Sequence, residues 1–371
     1  MQKTPNNYTE PLSTLEVHLD AVARNWLYFK KSLKSGADCA AVVKADAYGL
    51  GAAVVAPALF DQGCRHFFVA HADEGFAVRK VVPSRDAVIY VLNGPYGASA
   101  AEMMTAGLVP VLNTPGDIAY WAEVGAPGDA RRPALLHIDT GMNRFGLSVT
   151  EAQNLDRDLL RKVDIRYVMS HLACADETAH PMNRAQLTLF SQTVAVLGMP
   201  FRLSFANSAG ILLGADYHFD LVRPGCGLYG INPSSDRPNP MQGAVTLSAR
   251  VVQVREIDRP GTVGYGASYA ISPPAKCATV SVGYADGYLR SFTGCGRVFI
   301  GGEACSVIGR VSMDSIIVDI SHVAKPVTAG MMAEIIGKHQ SIDDVAAQAG
   351  TIGYEILTSL GKRYKRIYTN G

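Results

Sequence analysis

No uninterrupted apolar run in this 371-residue chain approaches the roughly 20 residues that a membrane-spanning helix requires, which argues against a spanning segment. Charge of one sign is also missing. Lys and Arg number 34 against 33 Asp and Glu, a net charge of +1, so nothing points to a nucleic-acid or acidic-membrane partner. Cysteines are few and unpatterned. The seven are spread from position 39 to 305, the count is odd, and no C-x-x-C occurs. A disulfide framework and a zinc site are both disfavoured, and no metal site is expected. The opening residues, MQKTPNNYTEPLSTLEV, are polar and hold no apolar signal core. Together these absences describe a protein of the reducing cytoplasm.

What is present suits a large buried core, with 48% hydrophobic and 18% charged residues. From about residue 38 to 230, short apolar runs alternate with helical patterns. The runs are Cys39–Val43, His66–Ala70, Val88–Leu92, Val109–Leu112, Ala134–Ile138, Tyr167–His171, Arg202–Phe205 and Leu221–Tyr229. Segments between them, such as Gly49–Phe60, Ala72–Lys80, Ala98–Ala106, Asp117–Val124 and Met182–Leu197, carry apolar residues at three- and four-residue spacing. This alternation predicts an α/β fold, a TIM (β/α)8 barrel over residues 1–240, with a doubly wound sheet as the competing arrangement. After residue 240 the texture changes. Leu247–Glu256, Lys276–Val282, Arg297–Ile300, Ala304–Ile308 and Ser315–Ile320 are β-rich and separated by Gly, Pro and Asp. They predict a mostly β domain over 241–371, with a helical segment at Ile342–Leu360 and a last strand in Lys362–Tyr368. The run Thr14–Leu19 precedes the barrel and is free to pair with that second domain.

In a barrel of this kind, chemistry sits where strands end and βα loops begin. Lys44 follows the first apolar run. Asp139-Thr140-Gly141-Met142-Asn143-Arg144 follows the fifth, and His171 ends the sixth. Asn207-Ser208 ends the seventh and opens a helix, and Arg223-Pro224-Gly225 lies in the eighth. A lysine at an apolar barrel mouth either snorkels to solvent or, with a lowered pKa, forms a Schiff base. Asn207-Ser208 is either an ordinary helix cap or a phosphate site, since the loops after the last two strands commonly bind phosphate in this fold.

Longer motifs narrow the choice. Val-Lys-Ala-Asp-Ala-Tyr-Gly-Leu-Gly at 43–51, Asp-Thr-Gly-Met-Asn-Arg at 139–144, Ser-His-Leu-Ala-Cys-Ala-Asp-Glu at 170–177 and Ala-Asn-Ser-Ala at 206–209 occur in order. Arg-Pro-Gly at 223–225, Gly-Tyr-Gly at 264–266, Val-Gly-Tyr-Ala-Asp-Gly-Tyr at 282–288, Gly-Arg-Val-Ser-Met-Asp at 309–314 and Gly-Tyr-Glu at 353–355 follow. The series resembles the alanine racemases, barrel-type enzymes that use pyridoxal 5'-phosphate, and the resemblance spans essentially the whole chain. It implies that Lys44 carries the cofactor as a Schiff base and then serves as a base. Tyr48, Asn207, Ser208, Gly225, Cys226 and Tyr354 would hold the cofactor, chiefly its phosphate. Arg223 would face the pyridine nitrogen, where an always-protonated donor keeps that nitrogen unprotonated and the electron sink weak. His171 would hydrogen-bond to this network.

The same resemblance makes Tyr265 the second base, on the opposite face of the substrate, supplied by the other subunit of a homodimer with shared active sites. Met313 would come from that partner too. Arg144 would orient the carboxylate of a small amino-acid substrate. Asp176, Tyr284, Arg290 and Arg310 would line the entryway. The implied role is to supply D-alanine for peptidoglycan. One position departs from the pattern. Many relatives have a carbamylated lysine two residues before the aspartate of the Asp-Thr-Gly-Met motif, and here that position is His137. The other readings are a racemase of broader specificity, acting for example on serine, a barrel-type decarboxylase, and a non-catalytic cofactor carrier. Carriers of this fold are typically one barrel, so residues 240–371 count against the last.

Overall fold

A computed structural model describes residues 10–124 and 131–370. The chain forms two compact units, Val22–Gln242 and one assembled from both chain ends, Met1–Ala21 with Gly243–Gly371.

The first unit is a ring of parallel strands. We number them β1 (Asp38–Cys39 and Ala41–Val42, one strand interrupted at Ala40), β2 (His66–Val69), β3 (Val88–Val91), β4 (Leu108–Leu112), β5 (Arg132–His137), β6 (Val163–Met169), β7 (Leu203–Asn207) and β8 (Leu221–Arg223). Each pairs with its sequence neighbours, and the ring closes through β1. Cys39 lies opposite Val222, Ala41 lies opposite Phe67, and the Ala40 N–H donates to Val222 O at 2.9 Å. Closure leaves no exposed sheet edge. Strands covered on both faces must be apolar throughout, and Leu108–Leu112 is buried at every residue.

Helices follow the strands, and their starts are written in the sequence. Ser99 with Glu102, Thr114 with Asp117 and Ser148 with Glu151 form reciprocal capping boxes. Two boundaries differ from the sequence expectation. The run Leu221–Tyr229 is a strand only to Arg223, because Pro224 has no N–H for the ladder; Cys226–Tyr229 then turns as a 3-10 helix. β6 begins at Val163, four residues before the apolar run that signals it.

The second unit is built on an eight-stranded sheet. Its long strand, Val245–Ile257, pairs with Ala275–Val280, with Met332–Ile336 and with the N-terminal strand Ser13–His18. Ser13–His18 is antiparallel to Val245–Ile257 and parallel to the final strand Lys365–Thr369. Arg297–Ile300, Glu303–Ile308 and Ile316–Asp319 complete the sheet. A separate hairpin pairs Gly261–Val263 with Tyr269–Ile271. The segment read as one helix over 342–360 is two, Ile342–Ala349 and Gly353–Ser359, because Gly350 adopts φ 70° and ends the first.

Candidate active site

Lys44 lies two residues past the end of β1, and the chain then makes a left-handed turn. Ala45, Asp46, Ala47 and Tyr48 have φ of 52, 54, 54 and 56°. L-residues adopt that conformation at a cost of roughly 1–2 kcal/mol each, so the turn persists only where its surroundings fix it. Ala47 N–H donates to Val43 O at 2.9 Å and Gly49 N–H to Ala45 O at 2.7 Å. The Asp46 carboxylate accepts from Ala52 N–H at 2.7 Å, and Glu74 accepts from Ala45 N–H at 2.7 Å. The Lys44 amine is held below its ordinary pKa, first by burial and then by the charge of Arg144, with Glu74 opposing. A lowered pKa keeps more of the amine free to attack a carbonyl.

The next feature is a cradle of backbone amides. Ser208 Oγ accepts from Gly225 N–H at 2.8 Å and from Gly227 N–H at 3.4 Å. Asn207 caps the short helix Ser208–Leu212 by accepting from Gly210 N–H at 2.8 Å. Gly225 is needed for closeness: a Cβ there would stand 2.5 Å from Tyr48 Oη. Tyr48 is buried, its phenol is pushed up by that burial, and its ring lies 4.7 Å from that of Tyr229. Cys226, also buried, follows Gly225. Two amides hold the Ser208 oxygen as acceptor, so its O–H is left to donate; with the nearby Tyr48 hydroxyl, and no carboxylate among the groups named here, the corner suits a phosphate.

Arg223 is buried. It donates to Ser204 Oγ, to Ser170 O at 2.6 Å and to Phe205 O at 3.3 Å. Its Nε–H has no acceptor among the described residues and so is free for a ring nitrogen. Burial pushes its pKa down to about 9, which still leaves it cationic near neutrality. The His171 imidazole has no hydrogen bond among the described residues. The His171 pKa instead lies well below its ordinary value, through burial, Arg223, Arg144, His137 and Lys44 in that order. It is therefore a neutral ring.

His137 is buried and bonded. Asn113 spends its amide N–H groups on Leu92 O at 3.0 Å and Val111 O at 3.1 Å, so its Oδ1 accepts from His137 Nδ1–H at 2.8 Å. Burial, then Arg223, then Arg144 lower the His137 pKa to about 3. Arg144 itself is exposed on a loop after β5 that folds back through Asp139 N–H to Leu147 O and Leu147 N–H to His137 O, both 2.8 Å. Asp139 also accepts from Gly141 and Met142 N–H at 2.8 and 2.9 Å, which fixes the loop's start. Gln186 is a support the sequence reading missed. Buried on helix Pro181–Leu197, it donates to Thr140 Oγ1 and His171 O and accepts from Ala173 N–H, joining the ends of β5 and β6. A polar side chain on the apolar face of a helix is the signal that could have found it. Asp176 lies exposed in the loop after β6, and its carbonyl accepts from Ser235 N–H at 2.9 Å.

The remaining sequence-predicted residues belong to the second unit. Tyr265 stands at the tip of the small hairpin with 73% of its surface exposed. A Cβ on Gly266 would stand 2.9 Å from Arg310 Nη1, so the arginine lies against the tyrosine's loop. Tyr284 and Met313 are exposed and held together, since Tyr284 N–H donates to Ser312 O and Ala285 N–H to Met313 O. Arg290, itself exposed, opens a 3-10 turn that buries Phe292; Thr293, which follows, accepts at Oγ1 from Val311 N–H at 3.2 Å. Tyr354 lies on Gly353–Ser359, 38% exposed. Arg363 joins Asp286 and Asp314 beneath the Tyr284 and Met313 segments, at 2.7 and 2.6 Å.

Family models for the alanine racemase N-terminal domain and the alanine racemase C-terminal domain match residues 17–233 and 244–368. The chain belongs to the alanine racemase family. An alanine racemase of Rhodospirillum rubrum is 46% identical over 357 residues, 95% of each chain. A catabolic alanine racemase of Mesorhizobium japonicum is 46% identical over 96% of this chain and 93% of its own. Among solved structures, alanine racemase from Bartonella henselae with covalently bound pyridoxal phosphate superposes with a TM-score of 0.92 and 39% identity, covering 96% of this chain and 99% of that one. The family's barrel followed by an antiparallel β domain is the architecture described above.

Proposed function

We propose that this chain interconverts L-alanine and D-alanine with pyridoxal 5'-phosphate, by two bases on opposite faces of the substrate. The observation that carries the proposal is the barrel mouth. There a lysine with a lowered pKa shares one set of strand ends with a buried cationic Arg223 and a Ser208 hydroxyl held by backbone amides. The donor set fits the cofactor, which when bound supplies a conjugated, electron-withdrawing ring that acidifies the substrate α-proton. Lys44 holds the cofactor and afterwards moves a proton at Nζ, on the face of the D-isomer. Ser208, Tyr48, Tyr354 and the backbone at Gly225 and Cys226 bind the phosphate, with Asn207 capping the helix that presents Ser208. Arg223 donates to the ring nitrogen and keeps it from becoming a full positive charge.

The second base is Tyr265 of the partner subunit, serving the L-isomer. A phenol ordinarily titrates near pH 10 and needs nearby positive charge to act near neutrality. Arg223 supplies that charge, and His171, being neutral, adds none. Arg144 orients the substrate carboxylate, Met313 of the partner subunit joins Tyr265 at the site, and Asp176, Tyr284, Arg290 and Arg310 flank the entryway. The exposure of Tyr265 and Met313 in the single chain, 73 and 52%, supports completion of the site by a second copy. No described helix is long and apolar enough to cross a membrane. We assign the enzyme to the cytoplasm and its D-alanine to peptidoglycan.

The test is incubation with L-alanine, L-serine and larger L-amino acids, followed by chiral analysis. D-alanine should form fastest, and Lys44→Ala should abolish it. Absence of any D-isomer would leave a cofactor carrier instead.

A further inference from the structure

We propose that Glu74 is a positioning residue for Lys44: its carboxylate braces the left-handed turn after the lysine against the end of the neighbouring strand. The inference rests on the reading of Lys44 as the residue that holds the cofactor.

Glu74 opens the helix Ala72–Val81 and is half-buried. One of its oxygens does what a helix cap does. Oε2 accepts from Ala70 N–H at 2.7 Å and from His71 N–H at 3.3 Å, at the end of β2. Capping needs nothing more. The other oxygen, Oε1, is spent outside the helix, on Ala45 N–H at 2.7 Å. Ala45 is the first residue of the left-handed turn, and its N–H has no acceptor within that turn. One carboxylate therefore ties the end of β1 to the end of β2 at the residue next to Lys44.

The turn's own bonds run from Ala47, Gly49, Leu50 and Gly51 N–H back to Val43, Ala45, Ala47 and Asp46 O, and Asp46 secures the far end through Ala52. At the near end Glu74 takes the Ala45 N–H, which those bonds leave out. The Glu74 charge also opposes burial and Arg144 in setting the Lys44 pKa, so the brace acts on the amine's charge as well as its place. Ala45, Asp46, Ala47 and Tyr48 contain no glycine to relax the left-handed conformation. Without the brace, the backbone at Ala45 has a ready way to leave it.

Glu74→Gln tests the brace. A glutamine keeps one acceptor oxygen and replaces the other with an NH2 group, which cannot accept. It can cap Ala70 and His71 or hold Ala45, not both. Displacement of a reacting group by about 1 Å can cost about 10²-fold. We expect kcat to fall by at least about tenfold, equally in both directions, with a much smaller change in the KM for alanine. Deuterium uptake of the cofactor-free protein should rise in the peptide covering 44–52, while the helix Ala72–Val81 and the melting temperature stay near wild type. Unchanged kcat with unchanged protection at 44–52 would make Glu74 a helix cap only. Loss of protection throughout the barrel, with a matching fall in melting temperature, would make its role merely structural and also overturn the proposal. Borohydride reduction of the wild-type holoenzyme separates the two readings: cofactor fixed on a lysine other than Lys44 overturns the assignment of Lys44 itself, whatever Glu74 does.

Discussion

Gly225→Ala should weaken cofactor binding with little change in the fold. A Cβ at Gly225 would stand 2.5 Å from Tyr48 Oη, 3.3 Å from Tyr48 Cζ and 3.4 Å from Val42 Cβ. Ordinary contact begins near 3.4 Å, so the hydroxyl must retreat by about 1 Å. It has poor freedom to do so. The Tyr48 ring lies 4.7 Å from that of Tyr229, and Tyr229 is itself fixed by its hydroxyl donating to Val42 O at 2.9 Å. Overpacking of this kind costs typically about 1–3 kcal/mol. If that strain falls on the bound state, the dissociation constant for pyridoxal phosphate rises between about fivefold and about 160-fold. The assay is a titration of cofactor-free protein by fluorescence, with melting curves of the same protein in parallel. Affinity within twofold of wild type would show that Tyr48 and Gly225 do not border the phosphate.

Tyr265→Phe deletes one hydroxyl, and loss of a general base typically costs about 10²–10⁴-fold in turnover. Both directions must slow together, because the equilibrium constant between enantiomers is one; exchange of the α-proton in heavy water separates the faces. D-alanine should still exchange through Lys44 while L-alanine does not, and equal loss from both would contradict the assignment of faces. Mixing inactive Lys44→Ala and Tyr265→Phe subunits should give heterodimers with one intact site, about a quarter of wild-type activity for random pairing. No recovery despite verified exchange of subunits would argue against shared sites. His137 has a pKa near 3, so it stays neutral above about pH 5 and cannot supply the negative charge of a carbamylated lysine. Racemisation should therefore be indifferent to removal of dissolved carbon dioxide; a loss reversed by bicarbonate would show that some lysine carries a carbamate.

Much of this arrangement was legible in the sequence because each part obeys one period. The apolar runs 66–70 and 88–92 match β2 and β3 closely, since strands buried on both faces leave no other pattern. Asn207-Ser208 reads as a helix opening and is one. Motif resemblance, rather than pattern, singled out Arg223 and Tyr265. What the sequence concealed is backbone conformation and long-range bonding. Nothing in Ala45–Tyr48 announces a left-handed turn, because that conformation usually calls on glycine, and the groups holding it come from Asp46 and Glu74. Two acceptors of Arg223 are carbonyls, that of Ser170 just after β6 and that of Phe205 within β7, which composition cannot display. The helix Leu19–Lys31 and the strand Met332–Ile336 went unread. The small hairpin bearing Tyr265 did as well, its three-residue strands being too short to establish a period.

The N-terminal strand Ser13–His18 has consequences for how the molecule is made. It sits between Val245–Ile257 and Lys365–Thr369, and His18 Nδ1 lies 3.0 Å from Thr369 Oγ1 across 351 positions of sequence. A strand synthesised before the barrel must therefore wait for one synthesised well after it before its ladder is complete. The barrel is an insertion between the two halves of the other unit, and it can close while that unit still lacks its final strand. During that interval Leu15 and Val17, fully buried in the finished sheet, lack their partners Arg366 and Tyr368 on the final strand. A nascent chain stalled before Lys365 thus presents an unpaired strand edge, the feature that recruits chaperones or seeds aggregation.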